Sequence, residues 1–217
     1  MSVHKRVLAL KQSSFYCGFN GNYYCLKSKV KMQRYNIALL PTDNALQDKI
    51  VRISRSYFLD IHDEYILGTD EGLAHITLCQ YKASSLHEAL HVYHDFLSSE
   101  TVSSIKLTIE KFHTRPGKLV NAGKFIAEYK IYPSPELIDL QLRCAERLEV
   151  HNLSSLTPSA GYSPHITLAR LSEMPNKTPT NQDLACPIDT AGHIALGLST
   201  EAGVFLKELI DRSETNN

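Results

Sequence analysis

No stretch of this 217-residue sequence approaches the roughly 18 consecutive apolar residues that cross a bilayer as a helix, so a membrane partner is not expected. No two of its five cysteines form a C-x-x-C pair. They are Cys17, Cys25, Cys79, Cys144 and Cys186, an odd number that suits neither a disulfide framework nor a zinc ribbon. A reducing, cytoplasmic setting is the simpler reading. Neither a Walker pattern nor a dinucleotide fingerprint occurs, and Gly68 to Gly72 is too short to cradle a phosphate. Net charge is also absent, with 23 basic and 23 acidic side chains. The 43% hydrophobic and 21% charged fractions are ordinary globular values, which excludes wholesale disorder, collagen and coiled coil and allows a real core.

The zero sum hides two unequal parts. Residues 1–34 lack any acid and carry Lys5, Arg6, Lys11, Lys27, Lys29, Lys31 and Arg34, while the remainder is acidic by the same amount. Residues 1–33 are read as a basic extension, 34–212 as the domain and 213–217 as a tail. The apolar run Val7 to Leu10 is too short for a signal peptide. The extension is compatible with a dispensable or misassigned start (Met32 directly precedes the first strand pattern), with an arm for nucleic acid or a partner, or with organelle targeting.

From Arg34 the pattern is regular. Tyr35 to Leu40 reads as a buried strand ended by Pro41, and Leu46, Ile50, Ile53 and Tyr57 follow at helical spacing. Strands are expected over 73–81, 105–109, 125–132, 165–171 and 192–198. Helices are expected from Ser85 to about Leu97 and from Ser134 to about Val150. Turn formers at 114–124 suggest a hairpin or a short meander, 172–187 an irregular connection, and Val204 to Ile210 a short helix or turn. Interspersed helices and alternating strands favour an α+β fold with antiparallel pairing.

One tetrapeptide occurs twice: His75-Ile76-Thr77-Leu78 and His165-Ile166-Thr167-Leu168. Composition alone gives about 0.005 expected copies, so the pair reads as a duplicated half-domain. Alternation along a strand puts His75 with Thr77, and His165 with Thr167, on one face, and the Ile and Leu of each copy on the other. Two lobes packed about a pseudo-two-fold axis bring the four polar side chains into one cleft. Two imidazoles can act as base and acid near neutral pH, and two hydroxyls can donate to phosphate oxygens. Such chemistry requires no metal or other cofactor.

These motifs resemble the two-histidine (2H) phosphoesterase superfamily, which includes the RNA 2′,3′-cyclic phosphodiesterases also called 2′-5′ RNA ligases. The likeness runs from about 34 to 210, and its most specific part is Pro164-His165-Ile166-Thr167-Leu168-Ala169-Arg170. The Leu198-Ser199 to Gly203 ending also fits. It implies a bilobal duplicated antiparallel-sheet fold, with helices on the outer faces and a central active-site cleft. It implies His75 and His165 as the acid/base pair and Thr77 and Thr167 as phosphate ligands. Arg170 and Tyr162 match positions where the family carries a basic and an aromatic residue. The implied substrates are 2′,3′-cyclic phosphate ends of RNA or small cyclic nucleotides, handled by a monomer, with ligation as the reverse reaction. Strict alternation, however, puts Arg170 on the face opposite His165 and gives Cys79 the parity to approach the cleft, although packing suits that cysteine better. Tyr162 could equally stack on a base or anchor its loop. A catalytically silent nucleotide-binding module of the same fold is the alternative reading.

His87-Glu88-Ala89-Leu90-His91 matches the zinc-peptidase signature H-E-x-x-H, and His94 extends the stripe. Ser85 and Glu88 also form a capping box, which gives the acid a structural job. Plain helix surface is therefore preferred to a metal site.

Overall fold

The computed structural model describes residues 32–60, 65–69, 72–101 and 104–210. These belong to one compact unit, Met32–Asn217. The tail expected over 213–217, and all of the basic extension except Met32 and Gln33, lie outside the described residues.

The chain order is β1 (Gln33–Pro41), α1 (Asn44–Phe58), β2 (Tyr65–Ile66), β3 (Ile76–Ala83), α2 (Leu86–Ser99), β4 (Ile105–Pro116), a 3-10 turn (Leu119–Asn121), β5 (Phe125–Ile131), α3 (Pro135–Val150), β6 (His165–Leu171), α4 (Asn181–Leu184), β7 (Ile188–Ser199) and β8 (Phe205–Ile210). The helix starts follow local chemistry. Asp43 accepts from the Ala45 and Leu46 amides at 2.9 and 3.2 Å, and Ser134 accepts from Leu137 at 3.2 Å with Pro135 in the first turn. Each such cap contributes about 1 kcal/mol. Ser85 caps α2 through the Glu88 amide, but the Glu88 carboxylate reaches back to the amide and hydroxyl of Ser84, one residue earlier than a capping box requires.

Eight strands form one antiparallel sheet in the order β2-β6-β5-β4-β7-β1-β3, with β8 added beside β7. Two halves are visible in it. In one, β1 lies between β3 and β7; in the other, β5 lies between β6 and β4. The halves are continuous, because β4 pairs with β7 from Ile105↔Gly192 to Ile109↔Ile188. They also exchange helices. The α1 helix packs on β6, where Ser54 Oγ donates to Leu168 O at 2.8 Å, and α3 packs on β3, where Gln141 meets Cys79. Each half's helix thus buries the motif strand of the other half.

Ile76, Leu78, Ile166 and Leu168 are fully buried in the main core, as alternation requires. The stretch from Val204 to Ile210 is not helical: Phe205–Ile210 is the strand β8, which returns along β7 after a turn in which Gly203 has φ 87°. That left-handed conformation suits glycine. Phe205 is fully buried, and burying such a side chain contributes roughly 1.5–3 kcal/mol.

Candidate active site

The two motif strands line one cleft of about 280 Å³, with His75, Thr77, His165, Thr167 and Arg170 all in its wall. The histidines are held alike. His75 Nδ1 lies 2.8 Å from Leu73 O, and His165 Nδ1 lies 2.8 Å from Ser163 O. A carbonyl can only accept, so each Nδ1 carries a hydrogen and each neutral ring keeps its lone pair on Nε2. Both bonds run to the carbonyl two residues earlier, so the local chain fixes the tautomer twice in the same way.

A second repetition explains Arg170. Between β5 and β6 the register passes from Glu128↔Thr167 to Ala127↔Ala169, leaving Leu168 as the extra residue of a bulge. The same slip occurs between β1 and β3, from Ala38↔Thr77 to Ile37↔Cys79, leaving Leu78 over. A bulge shifts the alternation by one. Arg170 therefore returns to the face of His165, contrary to strict alternation, and lines the cleft. Its guanidinium stands 5.0 Å over the Tyr65 ring and donates to Ala202 O. By the same shift Cys79 turns into the core, where it is fully buried, and Gln80 takes the cleft position. The Gln80 amide is anchored by two 2.8 Å bonds from Nε2, to Ser199 Oγ and Thr200 O. Gln80 follows His75 by five residues as Arg170 follows His165, so the repeat itself could have pointed to it.

The halves differ in charge and cover. Phe205 packs on the His75 ring at 5.4 Å between centroids, and His75 is 6% exposed. This burial, helped by the positive charges possible on His165 and present on Arg170, pushes the His75 pKa down to about 4. His165 keeps a third of its side chain exposed, and its Nε2 stands 3.8 Å from the buried carboxylate of Glu128. That distance is ion-pair reach for a protonated ring. Arg115 Nε holds both Glu128 oxygens at 3.0 Å. Ninety residues before Glu128 the first half has Ala38, so the carboxylate serves only one side. Thr77 Oγ1 accepts from Asn36 Nδ2 at 2.9 Å, which leaves its hydroxyl hydrogen for the cleft. Composition and spacing gave no sign of Asn36, Arg115 or Glu128, because their meaning depends on strand register.

Tyr162 is not in the cleft wall. Its hydroxyl donates to Thr77 O at 2.7 Å, and burial pushes its pKa up. It thus joins the loop before β6 to the first motif. His87, His91 and His94 are exposed on α2, and Glu88 is occupied at Ser84. Among the described residues no three His, Cys, Asp or Glu side chains come together as a metal-ligand set. A larger cavity of about 730 Å³ lies between the end of α2, β4 and the start of α3. Its Arg143 and Glu100 are already paired at 2.8 Å, and it holds none of the motif residues.

No protein-family model and no curated protein matches the sequence. The structure does have neighbours. A crystal structure described as a phosphoesterase superposes with TM-score 0.56 at 16% identity, covering 82% of this chain and 97% of the other. LigT of E. coli complexed with 3′-AMP gives TM-score 0.56 at 17% identity, covering 78% and 90%. The same protein with phosphate gives TM-score 0.54 at 16% identity, covering 83% and 96%. The chain has the LigT-like phosphoesterase fold. Within this LigT-like fold the cleft brings together His75, Thr77, His165, Thr167 and Arg170, adds Gln80, and leaves Tyr162 behind the wall.

Proposed function

We propose that this chain is a phosphoesterase that opens 2′,3′-cyclic phosphates by acid–base catalysis between His75 and His165. The observation that carries this reading is the pair of motif histidines in one cleft, each with Nδ1 tied to a backbone carbonyl and Nε2 left for proton transfer. The LigT-like fold supports the same class.

His75 suits the base. Burial keeps it neutral, so its Nε2 lone pair is available to take a proton from an attacking water. The water oxygen forms a bond to phosphorus, and the bond from phosphorus to one ribose oxygen breaks. His165, beside the Glu128 carboxylate, suits the acid that delivers a proton to that leaving oxygen, and the product is a ribose phosphomonoester. Thr77, Thr167 and Arg170 donate to the non-bridging oxygens, where negative charge sits throughout. If a 5′-hydroxyl takes the place of the attacking water, the same two groups keep their roles and the product is a phosphodiester, which is the chemistry of ligation; they exchange roles only when that phosphodiester is cleaved back to the cyclic phosphate.

The test is turnover of 2′,3′-cyclic nucleotides and of RNA ending in a 2′,3′-cyclic phosphate, with and without EDTA. His75→Ala and His165→Ala are each expected to cost roughly 10²–10⁴-fold, with EDTA without effect. Nucleotide binding with no hydrolysis of any cyclic phosphate would instead identify a silent binding module.

A further inference from the structure

The cleft is small for a ligand site, since pockets for drug-sized ligands usually span about 300–1,000 Å³. It has room for a phosphate and its sugar, and anything longer must leave across the sheet. The two halves offer different ground for this. On the β1–β7 side the corresponding face is closed by the apolar group Ala38, Leu40, Ala195 and Phe205. On the β4–β5 side it is open and basic.

A bulge at Glu110 shifts β4 so that Lys111 opposes Lys130, His113 opposes Glu128 and Arg115 opposes Ile126. The His113–Glu128 and Arg115–Glu128 contacts confirm that these residues share the face of His165. Lys130 is in turn the register partner of His165 on β6. Two lysines directly opposite each other repel and destabilise the pairing. Elsewhere on β4 the same need is met: Lys106 pairs with Asp189 at 2.7 Å. Lys111 and Lys130 have no ion pair among the described residues, Glu128 is taken up by Arg115, and Glu110, the extra residue of the bulge, pairs with neither lysine.

We infer that Lys111 and Lys130 form a subsite for a second phosphate, the phosphodiester next to the one reacting between the histidines, so that the substrate is the end of an RNA strand rather than a free mononucleotide. Neighbouring strands lie about 4.8 Å apart. Lys130 is one strand from His165 and Lys111 two, the scale on which one phosphate follows the next along a chain. Residues 35–217 are acidic in total, which disfavours a general grip on RNA phosphates, but the local arrangement concentrates unpaired positive charge where a strand leaves the cleft. This inference rests on the proposed phosphoesterase reading, which supplies the position of the first phosphate.

The experiment compares kcat/KM on a 2′,3′-cyclic mononucleotide and on a tetranucleotide ending in a 2′,3′-cyclic phosphate, for the wild type and Lys111→Ala/Lys130→Ala. It adds anisotropy binding of the tetranucleotide ending in a 3′-phosphate. The expected result is a wild-type preference of roughly tenfold for the tetranucleotide, falling with salt, lost in the double variant while mononucleotide turnover is unchanged. Equal rates on the two substrates in the wild type, or an equal loss on both in the variant, overturn the subsite. If neither substrate turns over, the phosphoesterase reading fails, and the binding arm still decides: weaker binding in the double variant supports the subsite, and unchanged binding removes it.

Discussion

Leu78 and Leu168 stand in the same place in the two halves, each the extra residue of a bulge three positions after its motif histidine. Each is fully buried, so the core side chain that anchors the strand also resets its alternation. This brings Gln80 and Arg170, five residues after the histidines, to the cleft face. The halves have diverged there. The first presents a neutral amide held by Ser199 and Thr200, the second a cation over Tyr65.

Arg170→Ala is therefore expected to lower kcat/KM on a cyclic phosphate about 10²-fold, the scale for losing one donor to a phosphate-like charge. Gln80→Ala, which removes no charge, is expected to cost less. Steady-state kinetics on one substrate series separates the two, and equal losses would mean that the bulges do not distinguish the halves.

His75 makes stability depend on pH. Folded, it stays neutral down to about pH 4; unfolded, a histidine takes its proton near pH 6.5. Between these values the unfolded chain binds a proton that the folded chain refuses, so stability falls as pH drops. Above about pH 6.5 neither state is protonated and this contribution vanishes. The loss is roughly 2 kcal/mol by pH 5 and roughly 3 by pH 4. Denaturant unfolding of the wild type and His75→Asn at pH 7 and pH 5 checks this: the wild type is expected to lose more stability by about that amount. Parallel losses would show that His75 is not buried in its neutral form.

The desolvation of His75 depends on β8, the strand that hydropathy did not reveal. Phe205, Leu206 and Leu209 lack a clear period, and β8 exists through its pairing with β7. The motif strands were legible because two-residue alternation is local. The face of Arg170 was not, because a bulge belongs to the register between two strands. Glu128 and Arg115 were illegible for the same reason: each is one charged residue on a strand until its register partner is known. Helix starts at Ser85 and Ser134 were legible because a cap needs only its own next three residues.

Gly197 tests the link from β8 to the site. A Cβ there would fall inside the contact distance of the Phe205 ring and close to Lys207 O, a strand glycine that permits close approach. Gly197→Ala is expected to cost about 1–3 kcal/mol from overpacking and to loosen Phe205 from His75. The acid limb of kcat/KM should then rise from near pH 4 toward the ordinary histidine range, an effect that a merely weakened core would not produce.

Tyr162→Phe removes one bond, from the hydroxyl to Thr77 O. It is expected to cost about 1 kcal/mol of stability and to leave KM for different bases in the same order. A change in base preference would restore Tyr162 as a stacking residue.

Glu128→Gln keeps the side-chain volume and removes the charge that faces His165, His113 and Arg115 together. Breaking a buried pair by removing one partner typically costs about 3–5 kcal/mol, but Arg115 keeps a third of its side chain in solvent, so the loss should fall below that range. Activity distinguishes this role from a structural one. If His165 delivers the proton to the leaving oxygen, a substrate whose leaving group needs no proton, such as a nitrophenyl phosphodiester, should be turned over by Glu128→Gln almost as fast as by the wild type, while a 2′,3′-cyclic nucleotide is slowed. Equal slowing of both substrates would assign Glu128 to holding the sheet rather than to the proton.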